Sequence, residues 1–172
     1  LAKGFCSLME HALLQHRFAP LYWELKGWDG RYDKESRGPV AYEATLGAFR
    51  KAFENEMTEF DLASTPTILA RIAAFDTNDP QQAHTIEAAF FAASEDFQPN
   101  KKWGDIHRVK LRHYLGNLPV FGRMFEYGDF PVSGSNQTLF KTSHSQTSAR
   151  HSTSYGSQSR FIADMSDLDN NY

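Results

Sequence analysis

The densest chemistry in this sequence lies in one octet, Lys102-Trp103-Gly104-Asp105-Ile106-His107-Arg108-Val109. Asp105, His107 and Arg108 put an acid, a titratable imidazole and a permanent cation side by side, next to an anchoring Trp103 and a Gly104 that lets the backbone turn. Successive residues of a strand face opposite sides, so an extended backbone here places Asp105 and His107 on one face and Arg108 on the other. Such a set is either an acid-base pair or a structural knot with the tryptophan buried and the charged groups paired. A second carboxylate, Asp164, stands in the alternating run Arg160-Phe161-Ile162-Ala163-Asp164-Met165. Read as a strand, that run puts Phe161, Ala163 and Met165 on one face and Arg160, Ile162 and Asp164 on the other, so Arg160 is a cation on the face of Asp164.

Little else in the sequence has the spacing of a reaction centre. It holds no Gly-rich phosphate loop, paired-cysteine motif, His-Glu-x-x-His or internal repeat. The spacings of His107 with His113 and of His144 with His151 match no standard metal-ligand helix or finger. The single cysteine, Cys6, has no internal disulfide partner and falls in an apolar helical pattern, where a buried thiol is expected.

The octet divides two unlike halves. Before it, apolar residues recur at helical spacing; after it, the chain turns to Gly, Pro, Ser and short β-type runs. Phe5, Leu8, Met9, Ala12 and Leu13 predict a first amphipathic helix closed near Pro20, and Gly27-Trp28-Asp29-Gly30 predicts a tight turn held by Asp29 with Trp28 folded back on the helices. Ser36 as N-cap and Pro39 in the first turn predict the clearest helix, with an apolar stripe of Tyr42, Thr45 or Leu46, Phe49, Phe53, Met57 and Phe60. Its mixed charges, Glu43, Arg50, Lys51, Glu54, Glu56 and Glu59, are expected in solvent. Thr65-Pro66 opens a short helix carrying Leu69, Ile72 and Phe75, and Asp79-Pro80-Gln81-Gln82 opens another with the seam Ala83, Ile86, Phe90, Ala93 and Phe97. That makes about four helices before the octet.

Beyond it, Arg108 to Leu115 is a short polar-apolar segment, Gly116 to Asp129 is loop-like, and Ser133-Gly134-Ser135-Asn136 is a turn. Residues 141–159 are rich in Ser and Thr and poor in apolar side chains, the composition of a surface loop or a poorly ordered segment. The expected organisation is therefore a helical part, residues 1–101, followed by loops and strands over residues 102–172, an α+β class.

At 172 residues with 41% hydrophobic content the chain can bury a core, and a net charge of -3 provides no basic field for general nucleic-acid binding. Lys101, Lys102, Arg108, Lys110 and Arg112 form one local basic cluster, the usual mark of a solvated face. No apolar run is long enough to span a membrane, and no signal peptide is visible. Because the chain begins with Leu1, it reads as a piece of a longer polypeptide.

Taken in order, Gly27-Trp28-Asp29-Gly30 with Ser36, Trp103-Gly104-Asp105-Ile106-His107-Arg108, Phe130-Pro131 with Gly134 and Thr138, and the run from Gly156 ending in Arg160-Phe161-Ile162-Ala163-Asp164 resemble the penicillin amidase family. Its members include penicillin, cephalosporin and acyl-homoserine-lactone acylases. The resemblance places the chain in the later part of the family's β subunit. It implies the αββα sandwich of N-terminal nucleophile hydrolases, with residues 1–101 as a helical insertion and the later strands rejoining the sandwich.

The activity implied is hydrolysis of a linear amide, the side chain of a penicillin or cephalosporin or an N-acyl-homoserine lactone. A precursor cuts itself, the newly exposed N-terminal serine attacks the amide carbonyl with its own α-amine as base, and a backbone N–H and an Asn side chain hold the oxyanion. The resemblance puts that serine and that Asn upstream, so this chain by itself is expected to be inactive. It also puts any calcium ligands upstream, leaving no cofactor or metal residue here. Asp164 stands where cephalosporin-acylase relatives carry the acid that orients a histidine near the nucleophile, and Trp103, Asp105, His107, Arg108 and Arg160 are candidates for support around the site. Two departures are visible: Asp164 is one methylene shorter than Glu, and Gln158-Ser159 stands where relatives show Ser and an aromatic.

The partners implied are the remaining α- and β-chain segments of the same precursor and a small amide substrate, with neither nucleic acid nor membrane. The compartment implied is the periplasm or the exterior. The competing reading, from another class of function, is a catalytically inactive binding module on the same scaffold.

Overall fold

The computed structural model describes residues 2–117, 119–144, 151–153 and 155–156. Helices come first, α1 (Ala2–His11), α2 (Ala19–Gly27), α3 (Gly38–Ala52), α4 (Glu59–Ala63), α5 (Thr65–Ala73), α6 (Pro80–Asp96) and the single turn α7 (Trp103–Ile106). The strands follow, β1 (Arg108–Arg112), β2 (Glu126–Pro131), β3 (Thr142–Ser143) and β4 (Tyr155–Gly156), an α+β arrangement with the classes segregated along the chain.

The helical half is built around α3. Val40, Ala41, Tyr42, Thr45, Leu46, Ala48 and Phe49 are all buried, and so are Glu43 and Arg50, which the sequence placed in solvent. A helix buried all round is a central element, and α3 has α2, α6 and α7 packed on it. That surround is why the charged positions of its expected outer face are covered. Lys51, Glu54, Glu56 and Glu59 do lie in solvent. Phe5, Phe49, Phe53 and Phe90 interlock at ring-centroid distances of 5.2–6.0 Å. Each such ring, fully buried, contributes about 1.5–3 kcal/mol.

The helix ends explain where the sequence reading was displaced. α1 stops without a proline: Leu13 takes a left-handed φ of 56°, Leu14 N–H donates to Met9 O at 2.8 Å and Leu13 N–H to Glu10 O at 3.2 Å. These two bonds satisfy the last carbonyls in the Schellman manner and leave Leu13 exposed rather than packed. Pro20 sits inside the first turn of α2, where its missing N–H costs nothing, so it opens the second helix instead of closing the first. The tight turn itself follows: Asp29 Oδ1 accepts from Arg31 N–H at 2.9 Å, and Trp28 folds back to within 4.9 Å of the Tyr42 ring. Gly38 lies under that indole, and a Cβ there would meet Trp28 Cγ at 2.3 Å.

Thr58, Ser64 and Asp79 cap α4, α5 and α6 with their side chains, as the Asp79-Pro80 motif predicts for the last. Ser36 caps nothing; the residue before α3 is Arg37, with no side-chain bond. The apolar stripe of α3 also ends sooner than expected: the helix stops at Ala52, Phe53 closes it, and Phe60 lies 84% exposed on the separate α4.

β1 and β2 pair antiparallel, with Val109 opposite Phe130, Lys110 opposite Asp129 and Leu111 opposite Gly128. β2 therefore occupies part of the stretch read as loop. On the other edge of β1, Thr153 N–H donates to Arg108 O at 2.8 Å and Lys110 N–H to Thr153 O at 3.3 Å. β3 and β4 form a second antiparallel pair. Within the Ser/Thr-rich stretch, Thr142, His144, His151 and Thr153 are buried against Trp103, His107 and β1, so these residues do not lie as a surface loop.

Candidate functional site

The octet sits at the seam between the halves and forms one helical turn before it becomes a strand. Its first donors are met by the segment that precedes α3: Trp103 N–H donates to Ser36 O and Gly104 N–H to Lys34 O, both at 2.8 Å. Ser36 thus serves through its carbonyl. The same segment receives the later loop, with Gly134 N–H donating to Tyr32 O at 2.7 Å and Lys34 N–H to Ser133 Oγ at 3.0 Å. Gly134 has φ +91°, and a Cβ there would lie 2.0 Å from Phe140 O, so only glycine fits this crossing.

Trp103 is fully buried at the centre of this seam and donates Nε1–H to Gly134 O at 2.9 Å. Its indole stacks on His107 at 4.6 Å and 21°, with Tyr32, His144 and His151 at 5.2–5.5 Å. His107 is fully buried, and both ring nitrogens are engaged: Nδ1 with His151 O and Nε2 with Thr142 Oγ1, each at 2.7 Å. A carbonyl only accepts, so Nδ1 carries the proton and Nε2 accepts from the Thr142 hydroxyl. Burial, with the neighbouring His144, outweighs the bond to His151 O and brings the His107 pKa down to about 4. His144 and His151 share one Nδ1···Nδ1 hydrogen bond of 3.0 Å, and Asn136 clasps the His144 backbone from both sides, at 2.9 and 3.0 Å.

Asp105 does not join His107. Because residues 103–106 are helical, its carboxylate turns back to accept from Lys102 N–H at 2.9 Å and stays exposed. The shared strand face is therefore corrected, and the structural-knot alternative describes Trp103 and His107. Arg108 ties the turn to β2: Nε donates to Asp129 Oδ1 and Nη2 to Asp129 O, both at 3.0 Å, and Nη1 to Gly104 O at 3.2 Å. Asp164 and Arg160 lie outside the described residues. Among the described residues no three His, Cys, Asp or Glu side chains are arranged to hold a metal ion.

A neutral, enclosed imidazole with both nitrogens bonded is poorly placed to exchange protons with a substrate. What this cluster does is hold residues from both halves in fixed register.

A second buried polar group was not legible in the sequence. Tyr32 Oη–H donates to Glu43 Oε1 at 2.6 Å; Arg50 donates Nε–H to Leu62 O at 3.0 Å and Nη2–H to Thr65 Oγ1 at 2.8 Å; Gln137 Nε2–H reaches the same Thr65 oxygen at 2.8 Å. Burial, reinforced by Glu43, pushes the Tyr32 hydroxyl well above its ordinary range, and burial lowers Arg50. Glu43 and Arg50 stand two turns apart on α3, and that spacing on an otherwise mixed-charge helix gave no signal of burial.

The family model described as penicillin amidase matches residues 5–172 of the chain. No curated protein matches it.

Proposed function

This chain belongs to the penicillin amidase family and is part of an acylase-type amidohydrolase, and from that premise we propose that its parent hydrolyses a linear amide with an N-terminal serine supplied by a segment outside residues 1–172. The match over residues 5–172 is the observation that carries this reading. The buried Trp103 and His107 support a scaffold role for the octet, since both are committed to contacts within the fold.

In this reading residues 1–101 are a helical insertion and residues 102–172 return strands to an αββα sandwich. Asp164 orients a histidine contributed from outside the chain, and the remaining α- and β-chain segments complete the substrate pocket. Any calcium is held upstream, maturation occurs in the periplasm or outside the cell, and the substrate is a penicillin, a cephalosporin or an N-acyl-homoserine lactone. Chemistry then proceeds by attack of the serine hydroxyl on the amide carbonyl, loss of the amine and hydrolysis of the acyl-enzyme. N-terminal sequencing of the mature polypeptide that carries this chain tests the proposal: the expected first residue is a Ser exposed by cleavage. A first residue other than Ser, in a polypeptide that hydrolyses amides, overturns the nucleophile assignment.

A further inference from the structure

Three polar side chains of α3 end in atoms with no hydrogen-bond partner, although all three are more than nine-tenths buried: Tyr42 at 2%, Glu43 at 6% and Arg50 at 7% exposure. The atoms are Tyr42 Oη, Glu43 Oε2 and Arg50 Nη1. Each belongs to a group whose other polar atoms, where it has them, are bonded, so these side chains are held in place and are not free to turn toward solvent. Tyr32 fixes one oxygen of Glu43, and Leu62 O and Thr65 Oγ1 fix two nitrogens of Arg50. Glu43 and Arg50 stand two turns apart on one face of α3, and Tyr32, which bonds Glu43, holds its ring 6.4 Å from that of Tyr42, so the three groups are neighbours, and the charge of Glu43 acts on both Tyr42 and Arg50.

An unpaired buried carboxylate oxygen or guanidinium N–H costs several times what an ordinary hydrogen bond contributes, and native proteins rarely leave one so. We propose that Tyr42, Glu43 and Arg50 form an internal hydration site, in which ordered water links Glu43 Oε2 to Arg50 Nη1 and takes the Tyr42 hydroxyl as a further ligand. Water suits this donor set: it donates to the carboxylate, accepts from the guanidinium and pairs with the phenol in either sense. A bound anion would face the Glu43 charge and a bound cation that of Arg50, which leaves a neutral ligand with both donor and acceptor capacity. Through Arg50 and Thr65 the hydrated pair reaches Gln137, so the site helps seat the loop after Gly134 on the helical half.

The sign of one substitution tests this. Tyr42→Phe removes only the hydroxyl and keeps the ring that packs on Phe5 and Trp28. If the hydroxyl ligates water, the mature protein carrying Tyr42→Phe melts about 2–4 °C lower than the parent. If the hydroxyl is merely stranded, its removal relieves a burial penalty; an unchanged or raised melting temperature overturns the proposal. A crystal structure that shows ordered solvent provides the direct readout: water in contact with Glu43 Oε2 and Arg50 Nη1 is expected, and direct contact between those two atoms, or a dry gap, overturns it.

Discussion

Trp103→Ala lowers the unfolding free energy by about 3–5 kcal/mol, the largest single-residue effect expected here. The side chain is fully buried, donates to Gly134 O and packs against Tyr32, His107, His144 and His151, so its loss opens a cavity where four separate stretches of chain meet. Collapse of the surroundings is opposed because the Tyr32–Ser36 segment is already pinned to α7 and to Gly134 by backbone bonds. Trp103→Phe keeps most of the apolar burial but strands Gly134 O, and costs about 1–3 kcal/mol. Urea unfolding of the mature protein and both variants measures the difference. A loss below about 1 kcal/mol for Trp103→Ala would mean that the seam is held by other contacts.

Acid is the second large lever, and it acts through His107. Its ordinary pKa of 6.5 falls to about 4 in the fold, so the folded protein holds the ring neutral where the unfolded chain takes up a proton. The stabilisation from this residue is therefore fully present above pH 6.5 and is lost as the pH falls from there toward about 4, with no further loss below. At 1.36 kcal/mol per pKa unit the whole effect is about 3 kcal/mol. Protonation would put a donor at Nε2, requiring the Thr142 hydroxyl to reverse its bond, and would add positive charge beside His144. His107→Gln supplies a non-titrating amide, and its unfolding free energy should vary less between pH 6.5 and 4 by about that amount. An unfolding free energy of the parent that is flat across this interval would contradict the assignment.

What could be read from the sequence was whatever depends on near neighbours. Asp79-Pro80 opens α6 and Ile86, Phe90, Ala93 and Phe97 line its buried face, because capping and helical period are local properties. The same locality misled at Ser36, whose carbonyl is taken by Trp103, and at Glu43 and Arg50, whose burial depends on how many elements surround α3. The octet was recognisable as dense chemistry, yet whether it was a reaction centre or a knot turned on Gly134, Thr142 and His151, residues 31 to 44 positions away. Composition pointed the other way for Thr142, His144, His151 and Thr153: in a Ser/Thr-rich run poor in apolar residues, burial comes from hydrogen bonding to the seam, which leaves no hydrophobic pattern. Family membership was legible because it rests on ordered motifs along the chain rather than on any one contact.

The acylase reading is tested most directly by hydrolysis of chromogenic amides with phenylacetyl, short-chain and long-chain acyl groups, using the full parent gene product and this chain alone as control. Hydrolysis of at least one amide by the parent, and none by residues 1–172 alone, is the result predicted, and the preferred acyl group then selects among penicillin, cephalosporin and lactone substrates. A correctly processed parent that cleaves no amide in the panel would contradict it and favour a binding role for the same scaffold.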